Sequence, residues 1–198
     1  ENYASLKSQK SGLDNIKNFQ TTHNVPAGEV KYTNSQLKAL LNLRESKTYS
    51  RTTLLGMLAA REAVQSANIG TGRVGLISAT SVGGMDLTEV FYPSFEQGVT
   101  LDKVVHHDSA DSTIHIAKDL KIEDFSTTIS TACSSSANAI MLGCRMLNMN
   151  LLDYVVVGGT DSLCKFTING FSSLKILDEN KCRPFCKTRS GLNLGEGA

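Results

Sequence analysis

Cys133 is the residue whose type and setting in this sequence best fit a catalytic nucleophile. It follows a segment rich in β-branched residues, 125–131, and precedes a helical pattern that starts with three serines, 134–136. A strand that turns directly into a helix exposes the side chain at the junction. The amino end of the helix carries unpaired N–H groups and a partial positive charge, which favour a thiolate and stabilise an oxyanion. The alternative is that Cys133 is a small buried residue, as most free cysteines are.

The remaining cysteines do not form the pattern of a disulfide framework or of a zinc ribbon. The chain has five cysteines, an odd number at irregular spacings. We expect reduced thiols and no metal site on this spacing. Cys144 and Cys164 are expected to pack in the interior, and Cys182 and Cys186 to lie in a loop without an assigned role.

The composition of the chain is that of one globular domain without a strong electrostatic field. Of its 198 residues 40% are hydrophobic, and 20 basic against 19 acidic side chains give a formal charge of +1. Bulk charge therefore gives no reason to expect binding to nucleic acid or to an anionic membrane. No apolar run is long enough to cross a membrane. The amino terminus lacks the pattern of a secretory signal, which favours a cytoplasmic protein.

Hydrophobic periodicity predicts helices that alternate with strands. The predicted helices cover residues 50–68, 109–120 and 134–149, and the predicted strands cover residues 74–80, 125–131 and 153–160. This alternation is typical of parallel strands joined by right-handed crossovers. The β-branched run of 153–160 suits the centre of the sheet. The polar segment before residue 50 is predicted to form helix fragments and loops, and residues 191–198 the start of a strand.

Six separated motifs follow one another along the second part of the chain. They are Thr-Ala-Cys-Ser-Ser-Ser-Ala at 131–137, Asp-Tyr-Val-Val-Val-Gly-Gly-Thr-Asp at 153–161, Gly-Phe-Ser-Ser-Leu at 170–174, Cys-Arg-Pro-Phe at 182–185, Arg-Ser-Gly-Leu at 189–192 and Gly-Glu-Gly-Ala at 195–198. Together they resemble the β-ketoacyl-acyl carrier protein synthases, the condensing enzymes of the thiolase superfamily. Cys186 and Leu192 stand where many members have an aspartate and an aromatic residue, which leaves the subfamily open.

The resemblance implies a thiolase-like α/β fold with a mixed, mostly parallel sheet flanked by helices. It extends over the amino-terminal half of that fold, so residues 1–198 are expected to form the amino-terminal domain without its first strand and without the carboxy-terminal half. In the family, two histidines and a lysine from the second half complete the active site. We therefore expect this segment to be inactive by itself.

The resemblance also implies a condensation reaction with Cys133 as the catalytic residue and no cofactor. The thiolate would take an acyl group from a carrier-protein thioester, and a malonyl thioester would then lose carbon dioxide and attack that acyl group. Fatty acid or polyketide-type synthesis is the implied setting. The histidines of this chain match no catalytic position of the family and are expected to be surface or packing residues; they are His23, His106, His107 and His115.

An acyl carrier protein is the implied partner, and it is acidic. Arg44, Lys47 and Arg51 cluster where the family often places the cations that contact the carrier. The alternative is an ordinary solvated face, because three cations within eight residues are common there. Members of the family form dimers, so a homodimer or heterodimer is expected, with the segment 125–131 pairing across the two-fold axis.

Three other functions remain open at this stage. A non-catalytic partner subunit that sets chain length would usually lack the nucleophile, so Cys133 argues against it. Another enzyme of the thiolase superfamily, such as a degradative thiolase acting on coenzyme A esters, fits the Arg-Pro-Phe and Gly-Glu-Gly-Ala motifs less well. A generic cysteine hydrolase would need a histidine base, and the sequence assigns none.

Overall fold

The computed structural model describes residues 2–97 and 101–198. In chain order the elements are α1 (Asn2–Lys7), β1 (Leu13–Asp14), β2 (Ala27–Gly28), α2 (Asn34–Leu40), α3 (Arg51–Ala67), β3 (Val74–Ala79), α4 (Met85–Glu96), a 3-10 helix (Leu101–His107), α5 (Ala110–Leu120), β4 (Phe125–Ile129), α6 (Ser135–Asn148), β5 (Tyr154–Gly159) and α7 (Lys165–Ser173). Within the described part, no helix combines the length and the apolar character needed to cross a bilayer.

The chain divides into two units. The terminal unit contains the residues up to Lys31 together with Leu163–Glu196, and the sheet unit contains Tyr32–Ser162 and Gly197–Ala198. The single domain expected from the sequence is thus two structural units, because the last part of the chain returns to pair with the first. In the terminal unit, Gly28 lies beside Gly195 in an isolated parallel bridge.

The terminal unit has a small apolar core and one carboxylate that joins its segments. Ala27, Leu163 and Ile168 are buried in that core. Glu196 accepts hydrogen bonds from the N–H of Val30 at 2.9 Å and from the N–H of Leu163 at 3.1 Å. The segment 191–198, for which a strand start was predicted, forms only isolated bridges.

The sheet unit is built on three parallel strands in the order β4-β3-β5. Ala79 at the end of β3 is paired with Ile129 of β4 and with Gly159 of β5, so all three strands end at one edge. Parallel strands whose carboxyl ends meet at one edge commonly carry a binding or catalytic site there. The predicted α/β class with parallel strands is confirmed by this topology.

Strand β3 occupies the centre of the sheet and β5 does not. Residues 75–79 are buried, as the short apolar run predicted. The prediction that 153–160 forms the central strand is wrong, because β5 pairs with β3 alone among the described strands and its residues are only half-buried. Its β-branched residues indicated a strand correctly, but they do not distinguish a central strand from one with a neighbour on a single side.

Helices cover both faces of the sheet. Alternate residues of a strand point to opposite faces. Ile77 and Ala79 pack with Ala139 of α6 on one face. On the other face Thr128 is hydrogen bonded to Thr113 of α5 at 2.7 Å, and a Cβ on Gly56 of α3 would contact Ile116 of α5. The result is a layered α-β-α arrangement.

Helix α3 matches its predicted bounds closely because its ends carry clear signals. Ser50 is the N-cap, and its Oγ accepts a hydrogen bond from the N–H of Thr53 at 3.1 Å. Asn68 ends the helix in the left-handed conformation, with φ of 46°. Helix α5 begins at Ala110 after Ser109, whose side chain forms no capping bond.

An ion pair joins the two strand starts at the edge opposite the carboxyl ends. Arg73, before β3, donates from Nη2 to Oδ1 of Asp153 at 2.9 Å and from Nε to Oδ2 at 3.0 Å. The Arg73 N–H also donates to Oδ2 at 2.8 Å. These hydrogen bonds and the positive charge of Arg73 lower the pKa of Asp153 to about 2.

Candidate active site

Cys133 lies at the turn between β4 and α6 and is exposed. The turn passes through Ala132, which adopts a left-handed backbone conformation with φ of 51°. This region is unfavourable for residues that carry a Cβ, so the surrounding contacts must hold the turn. The sulfur therefore stands two residues before the first residue of α6, at the carboxyl edge of the sheet. The buried alternative for Cys133 does not apply.

Polar side chains on both sides of Cys133 hold this turn. The Thr131 N–H donates to Ser135 Oγ at 2.8 Å, and Ser134 Oγ donates to the Thr131 carbonyl at 2.8 Å. Asn138, one turn into α6, donates from Nδ2 to Thr131 Oγ1 at 2.8 Å. The serines after the cysteine thus bond back to the residues before it. The hydrogen bonds of these neighbours thus fix the backbone at Cys133.

The carbonyl of Ala132 connects this turn to the loop after β3. It accepts hydrogen bonds from Ser135 Oγ at 2.6 Å and from the Ser135 N–H at 3.0 Å. It also accepts one from Ser81 Oγ at 3.2 Å. Ser81 follows the end of β3, so two neighbouring strand ends meet at the backbone beside Cys133.

Asp161, just after β5, holds the loop that carries Ser81. Its Oδ1 accepts hydrogen bonds from Thr80 Oγ1 at 2.7 Å, from the Ser81 N–H at 2.9 Å and from the Val82 N–H at 3.2 Å. The sequence analysis quoted Asp161 as part of a motif but gave it no role. The structure adds it as a positioning residue, because the carboxyl end of β5 thereby fixes the loop after β3.

A glycine allows the first turn of α6 to approach the sheet. A Cβ on Gly159 would collide with Oγ of Ser136 and would lie 3.3 Å from the Ala79 carbonyl oxygen. No such contact arises at Gly158, where a Cβ would meet nothing within 4 Å. The space left by Gly159 therefore lets Ser136, three residues after the nucleophile, rest against β5.

The other cysteines divide between surface and interior. Cys164 is buried, as expected. The prediction that Cys144 packs inside is wrong, because α6 turns the small residues Ser135, Ala139 and Gly143 to the sheet and leaves Cys144 exposed. None of the five cysteines takes part in a disulfide bond.

The three cations expected to bind a carrier protein do not share one environment. Arg44 and Lys47 are exposed. Arg51 is only 4% exposed, and its Nη1 donates to the Tyr32 carbonyl and to Asn34 Oδ1, each at 2.9 Å. The Arg51 side chain is thus already used inside the sheet unit, and the expectation of an exposed docking cation does not hold at this position.

Two of the histidines meet at one carboxylate. His106 Nδ1 lies 3.2 Å and His115 Nε2 lies 3.5 Å from Oδ1 of Asp111. Burial by itself raises the pKa of Asp111, but hydrogen bonds from His115 and His106 keep it below its ordinary value. The sequence analysis treated these histidines separately. The spacing of four residues between Asp111 and His115 on one helix was the signal for this contact.

The remaining histidines form single contacts. His107 Nδ1 lies 3.0 Å from Thr88 Oγ1. His23 lies between Asn169 Oδ1, at 3.2 Å, and Ser172 Oγ, at 3.1 Å, in the terminal unit. Both fit the expectation of surface or packing residues.

Comparisons with known proteins agree on one family. The model of the family "Beta-ketoacyl synthase, N-terminal domain" matches residues 2–198. A 3-oxoacyl-[acyl-carrier-protein] synthase 2 from Staphylococcus aureus is 27% identical over 212 residues, which cover 95% of this chain and 50% of that protein. The tetracenomycin polyketide synthase ketoacyl synthase alpha subunit from Streptomyces glaucescens is also 27% identical. The aligned region covers 87% of this chain and 45% of that protein.

Solved structures of similar fold are ketosynthases. The ishigamide ketosynthase/chain length factor superposes with a TM-score of 0.87 at 23% identity, covering 98% of this chain and 51% of that one. A ketosynthase in complex with its chain length factor from Xenorhabdus doucetiae gives a TM-score of 0.69 at 33% identity, covering 87% of this chain and 45% of that one. The expected thiolase-like fold is confirmed. The chain spans about half the length of the relatives it matches.

Proposed function

The chain belongs to the β-ketoacyl synthase family through its amino-terminal domain, and on that premise we propose that the protein is a 3-oxoacyl-acyl carrier protein synthase of fatty acid or polyketide-type synthesis. The observation that carries this proposal is the exposed Cys133 at the turn before α6, beside the carboxyl ends of three parallel strands. A thiol in this setting can be reached by a bulky thioester, and it lies two residues before the amino terminus of α6, whose partial positive charge favours a thiolate.

The proposed reaction has two steps. The Cys133 thiolate attacks the carbonyl carbon of an acyl thioester, the new carbon–sulfur bond forms, and the carrier thiolate leaves and takes up a proton. Malonyl-carrier protein then loses carbon dioxide, and its enolate carbon bonds to the acyl carbon and expels the Cys133 thiolate. The product is a 3-oxoacyl chain longer by two carbons. Backbone N–H groups at the turn are proposed to stabilise the oxyanion.

Groups outside residues 1–198 are part of this proposal. The second step needs hydrogen-bond donors for the enolate, and the family resemblance assigns that task to two histidines and a lysine beyond this segment. We propose that the segment alone does not complete the reaction.

Acylation of Cys133 is the direct test. The complete gene product that contains these residues is incubated with acyl-carrier protein, and the adduct is located by intact mass and peptide mapping. We expect one acyl group on Cys133, no adduct in Cys133→Ala, and an unchanged adduct in Cys144→Ala, which removes another exposed thiol of the same region. Labelling of Cys144 instead, or no adduct on the folded protein, would overturn the assignment. The absence of any adduct on the folded protein is the result expected of a non-catalytic chain-length subunit.

An acidic acyl carrier protein is the proposed partner, with Arg44 and Lys47 as its contacts. Both side chains are exposed and lie three residues apart before α3. Charges at the rim of an interface mainly change the association rate and its salt dependence.

The docking proposal predicts a substrate-dependent effect of charge reversal. Arg44→Glu with Lys47→Glu should raise KM for acyl-carrier protein about fivefold to tenfold at low salt, since two favourable charges become repulsive. Acylation by a short acyl thioester without a carrier should keep its rate. Lys118→Glu, which reverses an exposed cation on α5, is the control. An equal loss with both substrates would contradict docking at these residues.

A dimer and a cytoplasmic location complete the proposal. Strand β4 pairs with β3 alone among the described strands, so its other side has free backbone groups for a partner strand. The match to a ketosynthase in complex with its chain length factor supports a heterodimer as well as a homodimer. All five cysteines are free thiols, as is typical of a reducing compartment.

A further inference from the structure

The side chains of His106, Asp111 and His115 converge where the 3-10 helix meets α5. One ligand atom from each lies within 4.8 Å of the other two. We propose that these three residues bind a divalent transition-metal ion such as Zn²⁺. The bound ion would stabilise this junction and its contact with α3. The proposal concerns a site separate from Cys133 and does not depend on the condensing activity.

The distances between the ligand atoms fit this ion. Zinc bonds to histidine nitrogen and carboxylate oxygen are about 2.0–2.2 Å, so the edges of a tetrahedral ligand set are about 3.3–3.5 Å. The two edges that meet at Asp111 Oδ1 are 3.2 Å to His106 Nδ1 and 3.5 Å to His115 Nε2. The two histidine nitrogens lie within 4.8 Å of each other, so a closure of up to about 1.5 Å between them completes the set.

The donor set selects the class of metal. Two imidazoles with one carboxylate suit zinc and its neighbours among the transition metals, whereas magnesium and calcium prefer ligand sets made of oxygen. Three protein ligands leave a fourth position for water. The cysteine spacing on which the sequence analysis expected no metal does not bear on this site, since none of the three ligands is a cysteine.

Neighbouring side chains support the ligands. Thr53 Oγ1 donates to Oδ2 of Asp111 at 3.4 Å and so supports the carboxylate, whose two oxygens lie 3.2 and 3.3 Å from His106 Nδ1. The ring of Tyr49 packs edge-on against His115 with centroids 5.0 Å apart. Such outer contacts orient the ligands of metal sites. The side chains of His106, Asp111 and His115 are only 12%, 11% and 29% exposed.

The consequence of binding would be mechanical. His106 belongs to the 3-10 helix, and Asp111 and His115 belong to α5. Of the supporting residues, Thr53 lies at the start of α3 and Tyr49 lies just before that helix. An ion at their centre would join the 3-10 helix to α5 directly, and to α3 through the hydrogen bond of Thr53 to Asp111. A ligand that binds only the folded state raises its stability.

Titration of the chelator-stripped complete protein with Co²⁺ tests the proposal. We expect a ligand-field spectrum of tetrahedral intensity that saturates at one equivalent and has no thiolate charge-transfer band, so that the five cysteines are excluded as ligands. Competition with Zn²⁺ should abolish the spectrum. Saturation with a thiolate band, or no spectrum at one equivalent, would overturn the proposal.

Three variants assign the ligands. His106→Ala and His115→Ala should each weaken Zn²⁺ binding at least tenfold in isothermal titration. His107→Ala, which removes the adjacent histidine with its contact to Thr88, should bind like the unaltered protein. Zn²⁺ should raise the midpoint of thermal unfolding of the unaltered protein and of His107→Ala, but not of His106→Ala. Equal binding by all three variants would refute the site, and this result is independent of any acylation of Cys133.

Discussion

At the scale of single residues, the position of Cys133 depends on side chains other than its own. Ala132 takes a left-handed conformation that costs free energy, and the bonds from Ser135 and Ser81 to its carbonyl oppose that cost. A residue held in this way by its neighbours is expected to keep its backbone position when its own side chain is replaced. Variants of Cys133 can therefore be interpreted as losses of the thiol and not of the turn.

Gly159 provides a sharp test of the packing beneath this turn. Gly159→Ala should lower the free energy of unfolding by about 1–3 kcal/mol, because the new Cβ forces Ser136 away from β5. Urea denaturation measures the change.

The neighbouring glycine is the matched control for this substitution. Gly158→Ala adds the same methyl group where a Cβ meets nothing within 4 Å. It should leave stability unchanged or raise it by up to about 1 kcal/mol, since alanine has less backbone freedom to lose than glycine. Equal losses in both variants would show that the close approach of Ser136 to Gly159 is not the cause.

The exposure of Cys133 was more predictable than the contacts that support its turn. The order of strand, cysteine and serine-rich helix start contains the information that exposes Cys133, so the sequence was sufficient there. The role of Asp161 and the contact between Ser81 and Ala132 join residues that are 51 to 81 positions apart. No local pattern encodes such pairs, because they arise only when β3 is paired with both β4 and β5.

At the scale of elements, the caps of two neighbouring helices differ in a measurable way. Ser50 caps α3 with a bond to the Thr53 N–H and is buried, whereas the Ser109 side chain makes no capping bond to α5. Ser50→Ala should cost about 1–2 kcal/mol of unfolding free energy, and Ser109→Ala no more than about 0.5 kcal/mol. Thermal and urea unfolding of the two variants measure this difference. A cost at Ser109 as large as that at Ser50 would contradict it.

In helix α6, hydrophobic periodicity identified the helix but led to the wrong prediction that Cys144 packs in the interior. Its larger apolar residues recur at helical spacing, and that stripe includes Ile140, Met141 and Cys144. The sheet instead receives the small residues Ala139 and Gly143 flanked by Leu142 and Met146, because Val155 and Val157 leave no room for a Cβ on Gly143. Periodicity finds a helix and its faces, but which face packs on the sheet depends on the shape of the strands.

At the scale of the whole molecule, the exposed apolar side chains on and after α6 are unusual for a surface. They include Ile140, Met141, Met149 and Leu151. A group of exposed apolar side chains is typical of a surface that another chain covers. The proposed dimer would provide such a cover.

Self-association of the 198-residue chain follows from this surface. We expect it to elute from a size-exclusion column ahead of the monomer position, and Ile140→Asn with Met149→Gln to shift it toward the monomer. Leu6→Gln changes an exposed apolar residue elsewhere and should have no effect. A concentration-independent monomer for the unaltered chain would contradict the expectation.

The hydrogen bonds of Asp161 also constrain the order of assembly. Ser81 is held by a carboxylate that follows β5, some 80 positions later in sequence, and Ser81 in turn supports the Ala132 carbonyl. A chain in which β5 has not yet docked on β3 lacks this link. The turn that carries Cys133 is thus completed only after β5 is in place, so an immature chain does not present the proposed acylation site in its finished form.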